Sequence, residues 1–272
     1  MSDSDTLLKN RLTELAKRAE TRGVWTFSEF LSLAEQDVLM RLRLGCPYTL
    51  DGGWESAERR VAAFGSEDIC GWTEAAPIVC VKIAPVQPKF ADRLTHRDFL
   101  GSLMGLGILR EVLGDIAVID NCGWLFCLEG ISQYIIDNLT GVKRTTVACT
   151  LSEPPEKLVE PPPVSQLVVA SERLDAVIAA VYRLSRSQSQ ELIAGGKVFL
   201  SGRLCQNSDE QIDDGTVVSV RGTGRFLYEG VERETKKGQA PRKCADLLKF
   251  GAVFIKFFLT TPFPDGRLLK PH

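Results

Sequence analysis

Residues 171–226 decide the fold, and they read SERLDAVIAAVYRLSRSQSQELIAGGKVFLSGRLCQNSDEQIDDGTVVSVRGTGRF. Apolar residues recur every three or four positions after Ser171, which predicts an amphipathic helix with that serine as its cap. These apolar positions are Leu174, Val177, Ile178 and Val181. Ser185 and Gln188 have the spacing of a capping box, so a second helix begins within the SRS triplet. The segment therefore opens with two abutting short helices.

A hairpin and a further strand follow these helices. Gly195 and Gly196 end the second helix, KVFL is typical of a strand, and Ser201–Gly202 turns the chain back. An Asp-Gly turn then precedes the strand TVVSVR. Because free N–H groups and the positive end of the helix dipole lie at a helix N-terminus, the start of the second helix is a small anion site. We expect six basic side chains to converge around it: Arg173, Arg183, Arg186, Lys197, Arg203 and Arg221.

Charge is divided unevenly along the 272 residues. Lys and Arg total 33 against 35 Asp and Glu, a net charge of −2, so the whole molecule has no attraction to phosphate or to a membrane surface. Residues 1–170 hold 17 basic and 23 acidic side chains, whereas residues 171–272 hold 16 basic and 12 acidic ones. Any nucleic-acid surface must therefore be local, and the C-terminal third is the basic part.

Other classes of protein find little support in the sequence. The eight cysteines are scattered, without a CxxC pair or a nearby histidine, so we interpret them as reduced, mostly buried thiols and expect no metal and no cofactor. The polar start MSDSDTLLKN fits neither a signal nor a transit peptide, and no apolar run approaches the about 20 residues of a membrane span. His272 is terminal, which leaves His96 as the one candidate base for a nucleophile. We therefore predict no catalytic residue.

Five segments are predicted along the chain. The clearest boundary is SEPPEKLVEPPP at 152–163, whose five prolines favour an extended, semi-rigid spacer over a packed element. A second boundary falls near residues 71–77, where helical periodicity gives way to strand-like sequence. The segments are a helical N-terminal segment (1–75), a middle domain (76–151), a proline-rich linker (152–168), a C-terminal domain (169–238) and a tail (239–272).

The first two segments differ in their periodicity. Apolar residues at three- and four-residue spacing predict amphipathic helices near residues 8–19 and 27–42, and DGGWESAERRVAAF predicts a Gly-Gly turn before a short helix with solvated charges. Residues 78–151 follow the order β-α-β-β-α-β, the split βαβ or ferredoxin-like (RRM-like) plan. Its first helix is capped by Thr95 with Asp98, and its glycines indicate close packing or an early end. Trp124 and Phe126 share a strand face, where filling the core is favoured over stacking on bases.

Several motifs together resemble a known family. ERLD, SRSQSQELI, GKVFLSGR and the VVSVRG strand resemble the S4 RNA-binding domain. GGWESAERR, THRDFLGSLMGLGILRE followed by GDI, and GRFLYEG with TKKG are similar to the YlmH-type S4-domain proteins over roughly residues 24–238. The resemblance implies an α+β chain with a helical N-terminal segment, a ferredoxin-like middle domain and a C-terminal S4 (αL-type) domain. It also implies an RNA surface made of Arg173, Arg183, Ser185, Arg186, Gln188, Lys197 and Arg203.

The function that this resemblance implies is non-enzymatic. We expect binding to structured ribosomal RNA, and to transfer RNA as a second target, on the large ribosomal subunit, with a role in quality control or rescue of stalled translation. The expected protein is a monomer in the cytoplasm, or in the plastid stroma of a photosynthetic eukaryote, without a membrane partner. Two alternatives stay open: an RNA-modifying relative of the pseudouridine synthases, and a chloroplast or photosystem assembly factor. Against the first, Arg173–Leu174–Asp175 lies inside the S4 helix.

Two further expectations follow from these patterns. The tail QAPRKCADLLKFGAVFIKFFLTTPFPDGRLLKPH does not match the family, and an extra packed strand, a poorly ordered extension and an altered reading frame all fit it, with poor order favoured. Arg186 is expected to act only on RNA, so that Arg186→Glu abolishes RNA retention and leaves the thermal melt nearly unchanged.

Overall fold

The computed structural model describes residues 3–55, 57–159, 164–169, 171–232 and 251–257. The chain is of mixed α+β class, with several antiparallel sheets. It divides into two compact units, Met1–Pro161 and Pro162–His272, and the division falls inside the predicted proline spacer. Within the described residues, no helix is both long and apolar enough to cross a membrane.

The first unit begins with a small helix-and-sheet layer. Its elements are α1 (Asp3–Arg22), β1 (Thr26–Leu31), α2 (Leu33–Met40), β2 (Tyr48–Asp51), β3 (Arg60–Phe64) and α3 (Glu67–Cys70). The three strands form one antiparallel sheet in the order β1-β3-β2. Leu12, Ala16 and Ala19 of α1 pack on this sheet, which confirms the helix predicted near residues 8–19.

Of the other helices predicted in this layer, the one near residues 27–42 is confirmed only over Leu33–Met40, and the one after the Gly-Gly turn is wrong. Phe27, Phe30 and Leu31 belong to β1, because Ser32 and Glu35 form a capping box that starts α2 only at Leu33. The segment after the Gly-Gly turn is β3, and its residues 61–64 are all buried, as the central strand of a covered sheet requires. In both places the apolar run is too short for its residue spacing to distinguish a helix from a strand, so tertiary packing decides between them.

A five-stranded antiparallel sheet forms the middle of the first unit. Its elements are β4 (Ile78–Pro85), α4 (His96–Gly105), β5 (Leu113–Ile119), β6 (Cys122–Leu128), α5 (Glu129–Asn138), β7 (Gly141–Val142) and β8 (Thr145–Leu151). The strand order is β5-β6-β4-β8-β7. The four longer strands follow the split βαβ order, but the sheet curls into a half-barrel and is not clearly ferredoxin-like. A register shift between Leu113 and Ile116 accompanies this curvature.

The capping predicted for α4 is confirmed. The Thr95 backbone N–H donates to Asp98 Oδ2 at 2.8 Å, completing a capping box. Added side-chain atoms at Gly101, Gly105 and Gly107 would meet nothing within 4 Å, so close packing does not explain these glycines. The helix ends early, at Gly105, and this early end is the second of the two explanations predicted for the glycines.

The spacer is not an extended segment throughout. Glu156–Val159 forms a short helix, α6, and Leu158 is buried beside Phe30 and Phe126 of its own unit. Val164–Val169 is strand β9 of the second unit, and its residues 164–168 were predicted as linker. Leu158, Leu167 and Val169 supply the reason, because burial of their side chains offsets the stiffness of the prolines.

The second unit is built on a six-stranded sheet. Its further elements are α7 (Leu174–Tyr182), α8 (Arg186–Ala194), β10 (Val198–Leu200), β11 (Arg203–Leu204), β12 (Thr216–Val220), β13 (Gly224–Glu232) and β14 (Gly251–Phe257). The order is β11-β10-β12-β13-β14-β9, and each neighbouring pair is antiparallel. Val177, Ile178, Phe226 and Tyr228 lie at the centre of its core. The predicted helices, hairpin and third strand are all present.

Two details of this unit differ from the sequence prediction. Arg173, not Ser171, is the N-cap of α7. Within the tail, residues 251–257 form β14, the packed-strand alternative, where poor order was favoured. Residues 239–250 and 258–272 lie outside the described residues.

Asp115 is a half-buried acid that joins the two layers of the first unit. Its carboxylate accepts hydrogen bonds from the backbone N–H groups of Glu58 at 2.6 Å and Arg59 at 3.4 Å. Arg59 was predicted on a solvated face, but its guanidinium donates to the carbonyls of Phe30 at 2.7 Å and Leu113 at 2.9 Å. Burial raises the pKa of Asp115 to about 6, although the backbone hydrogen bond from Arg59 and the nearby guanidinium groups oppose that rise.

Asp115→Asn is expected to change the pH dependence of unfolding. The unfolded carboxyl titrates near about pH 3.9, so between about pH 4 and pH 6 the native state binds the extra proton and the unfolding free energy falls as pH rises. The asparagine variant should lose this fall in urea unfolding at pH 4, 5, 6 and 7.

Asp98→Asn is the matched control. Hydrogen bonds from Lys143 and Thr95 lower the pKa of Asp98 to about 2, so its contribution is lost only as pH falls below about 4. This variant should keep the wild-type slope between pH 4 and 6. An Asp115→Asn curve parallel to wild type would contradict the assignment.

Candidate nucleic-acid interface

A buried carboxylate organises the start of the second unit. Asp175, the second residue of α7, has no exposed surface. It accepts hydrogen bonds from Arg173 at 3.1 and 3.2 Å, from Arg186 at 3.0 and 3.4 Å, and from Gln190 at 2.8 Å. Arg186 and Gln190 belong to α8, so the carboxylate ties the N-terminal half of α8 to the start of α7.

The protonation of Asp175 follows from these contacts. Burial by itself raises the pKa of the carboxyl, but hydrogen bonds from Arg186, Arg173 and Gln190 outweigh burial and hold the pKa at about 2. The side chain is therefore ionised at neutral pH, as a buried carboxylate with charged donors can be. Arg173 also forms an ion pair with the exposed Asp209.

The sequence-predicted site residues on the helices form one corner. The Ser185–Gln188 capping box is confirmed: the Ser185 N–H donates to Gln188 Oε1 at 2.8 Å, and Ser185 Oγ accepts from the Gln188 N–H at 3.2 Å. Arg183 ends α7 in the left-handed region with φ 53° and is exposed. Its conformation turns the chain sharply into α8, which brings Arg183 and the α8 N-terminus close together.

The predicted residues on the hairpin form a second group. The Arg221 N–H donates to the Lys197 carbonyl at 2.8 Å, and the Arg221 guanidinium carbon lies 4.4 Å from the centre of the Phe199 ring. Phe199 alternates with the buried Val198, so this group lies on the sheet face turned away from the core. Arg203 pairs with Leu200, and strand alternation places it on the opposite, helix-bearing side.

The six basic side chains that were predicted to converge are therefore divided between two groups. Arg173 and Arg186 are held by carboxylates, with exposed side-chain fractions of 35% and 51% that leave part of each guanidinium accessible. Lys197 and Arg221 are exposed, and neither pairs with a carboxylate within the part of the chain that the structure describes. The helix corner and the Lys197–Phe199–Arg221 group thus offer cations on two faces of the unit.

Three residues that organise this region were missed in the sequence. Asp175 was noted only as part of a motif to be discounted, although it lies three residues before Ile178 and so borders the apolar stripe of α7. Gln190 has the capping-box spacing with Ser187, but this spacing does not indicate its hydrogen bond to Asp175. Phe199 reads as an ordinary strand residue, and its pairing with Arg221 depends on the register of β10 with β12.

Comparison with known proteins adds an independent finding. Residues 78–155 match the family model described as "Putative RNA-binding domain in YlmH", and residues 172–218 match the S4 domain. The chain is 27% identical over 217 residues to "Ribosome-associated protein quality control protein P2" of Bacillus subtilis (strain 168), covering 77% of this chain and 82% of that protein. The match to the solved structure of "Cell division protein ylmH from Streptococcus pneumoniae" has 19% sequence identity and a TM-score of 0.46, and it covers 59% of this chain and 97% of that chain.

Proposed function

Because the chain belongs to the YlmH-type proteins, with a YlmH RNA-binding domain followed by an S4 domain, we propose that it is a non-enzymatic RNA-binding factor of the ribosome. Its S4 unit binds structured ribosomal RNA, and transfer RNA held there, on the large subunit. The process it serves is quality control of stalled translation in the cytoplasm, in keeping with the name of its Bacillus homologue. It acts as a monomer.

The observation that carries this proposal is the set of exposed cations on the S4 unit. Arg183, Lys197 and Arg221 present charge to solvent, and guanidinium and ammonium groups bind phosphate and the 2′-hydroxyl edge of A-form RNA. Arg203, Ser185 and Gln188 complete this RNA surface. Arg173 and Arg186 have two roles, because each is held by Asp175 on one side and partly exposed on the other.

An RNA-modifying activity at Asp175 is disfavoured by the geometry. The aspartate of a pseudouridine synthase must reach a base, whereas Asp175 has no exposed surface and its oxygens accept five hydrogen bonds from Arg173, Arg186 and Gln190. The protein therefore acts by binding and positioning: the S4 unit anchors it on RNA, and the first unit makes further contacts.

The middle domain is proposed to begin near residue 75 and to follow the ferredoxin-like plan, which the strand order β5-β6-β4-β8 supports.

Salt dependence of binding to isolated large ribosomal subunits tests this function. If about six phosphate contacts form, the association constant should fall by roughly three orders of magnitude between 50 and 200 mM salt, because counterions are released on binding. The measurement is co-sedimentation of the full chain with large subunits across a KCl series. An affinity that does not change with salt, or association that survives RNase digestion of the particle, would favour a protein-binding assembly factor instead.

A further inference from the structure

One face of the middle sheet is covered at only one end. Cys80, Phe126 and Ala117 are buried under Phe30 and Val61 of the N-terminal layer, and Trp54 stacks on Phe126 with ring centres 6.1 Å apart. The opposite face is filled along its length by α4 and α5. Beyond Phe126, Trp124 and Ile119 still pack against this cluster, but the positions of β4 and β8 on the same face are half-buried or exposed.

The open half carries an aromatic ring beside a cation. Lys82 and Trp124 are directly opposite each other on β4 and β6, and the Lys82 ammonium lies 5.1 Å from the centre of the Trp124 ring. Both side chains are half-buried. Within the described residues Lys82 forms no ion pair, so its charge is available to a ligand. This pair combines a stacking surface with a phosphate-binding group.

Small residues make the surface around this pair flat. Ala84 is directly opposite Ala148, and Lys82 is directly opposite Thr150, so no bulky side chain rises between β4 and β8. The strand positions on this open half include no acidic residue: they are Lys82, Ala84, Ile119, Cys122, Trp124, Thr146, Ala148 and Thr150. No carboxylate at these positions opposes a phosphate beside Trp124, and a base that stacks on the ring takes the place of the Lys82 ammonium over it.

We propose that the open half of this sheet binds an unpaired stretch of RNA, with one base stacked on Trp124 and the backbone held by Lys82. The proposal rests on the RNA-binding function above and specifies its second contact: the S4 unit holds folded RNA, and this sheet holds a single strand next to it. Sheet faces with aromatic residues take single strands because unstacked bases supply planar surfaces for stacking.

The test uses the full chain and a fluorescein-labelled ten-residue oligouridine, which has no secondary structure. Trp124→Leu keeps apolar contact with the covered cluster and removes the ring, and it should weaken oligouridine binding about tenfold, as loss of one stacked base predicts. Lys82→Gln should weaken it by a similar factor. Trp72→Leu, at a tryptophan that is 46% exposed elsewhere in the same unit, should bind like wild type. Oligouridine should also quench tryptophan fluorescence in wild type and Trp72→Leu, but not in Trp124→Leu.

The outcomes separate this inference from the proposed function. Equal oligouridine binding by Trp124→Leu and Trp72→Leu, with equal melting temperatures, overturns the inference and leaves large-subunit binding by the S4 unit intact. Polyglutamate of the same length that binds as tightly as oligouridine, with the same loss in Trp124→Leu, would indicate an acidic protein partner and also overturn it. If charge reversals on the S4 unit leave large-subunit binding unchanged, the proposed function fails, whereas the difference in oligouridine binding between Trp124→Leu and Trp72→Leu still reports on this sheet.

Discussion

Asp175→Ala is expected to lower the free energy of unfolding of the C-terminal unit by about 3 kcal/mol, because it leaves two guanidinium groups and one amide without their shared acceptor. The carboxylate itself has no exposed surface, which makes its removal costly. Arg173 and Arg186 retain 35% and 51% side-chain exposure, so water partly satisfies them and the loss stays at the low end for a buried ion pair. The measurement is urea unfolding of the full chain, followed in the C-terminal unit by backbone hydrogen exchange.

Asp209→Ala is the matched control for this prediction. Asp209 also pairs with Arg173, but its side chain is 65% exposed, so its loss should cost less than about 1 kcal/mol. The pH dependence supplies a second readout. Since the pKa of Asp175 is lowered to about 2, its contribution is present above about pH 4 and disappears as pH falls towards 2. Equal stabilities of the two variants at pH 7 would rule out this role for Asp175.

This contact also changes what Arg186→Glu can show. From the sequence alone the variant was expected to lose RNA and keep its thermal melt. Arg186 Nε lies 3.0 Å from Asp175 Oδ2, so a glutamate there faces a buried carboxylate and destabilises the unit. We therefore expect the melting temperature to fall, and loss of RNA binding by this variant does not by itself identify a phosphate contact.

Lys197→Glu combined with Arg221→Glu is expected to lower the affinity for large ribosomal subunits by roughly one to two orders of magnitude at 0.15 M salt, because two phosphate contacts are lost and two repulsions are added. Both side chains are exposed, and neither holds a carboxylate within the described residues. The fold should be nearly unaffected, apart from the contact between Arg221 and the Phe199 ring. The slope of log affinity against log salt should become shallower by about two.

Lys17→Glu combined with Arg18→Glu provides the matched charge change. Both residues lie on the exposed face of α1 in the first unit, and Arg18 pairs only with Glu14 at 3.0 Å among the described residues. This pair of reversals should leave the affinity and its salt slope close to wild type. If both double variants weaken binding equally, the effect comes from net charge and not from the S4 surface.

Local chemistry is what made much of the fold predictable. The capping boxes at Ser185 and Thr95 fix helix starts through hydrogen bonds that span three residues, so the sequence contains the whole interaction. The Ser201–Gly202 turn is likewise local: both residues have positive φ, which joins β10 to β11 as a tight hairpin. These predictions are confirmed because each interaction lies within the few residues that form its motif.

Features that depend on distant residues were not predictable in this way. Phe27–Leu31 has helical spacing, yet it forms β1 because β3, about thirty residues later, offers a strand to pair with. Asp175 looks like a solvated helix residue until α8 brings Arg186 and Gln190 onto it. The division of the basic residues over two faces depends on the register of β10 with β11 and β12, which no short motif specifies.

The position of β14 has a consequence for dissecting the protein. This strand lies between β13 and β9, so β9 reaches the rest of its sheet only through residues 251–257. A fragment cut at residue 238 would expose two rows of unsatisfied amide and carbonyl groups, which recruit other chains and promote aggregation. Poor solubility of such a fragment would then result from the loss of β14 from the sheet, and it would not show that the C-terminal unit is unstable by itself.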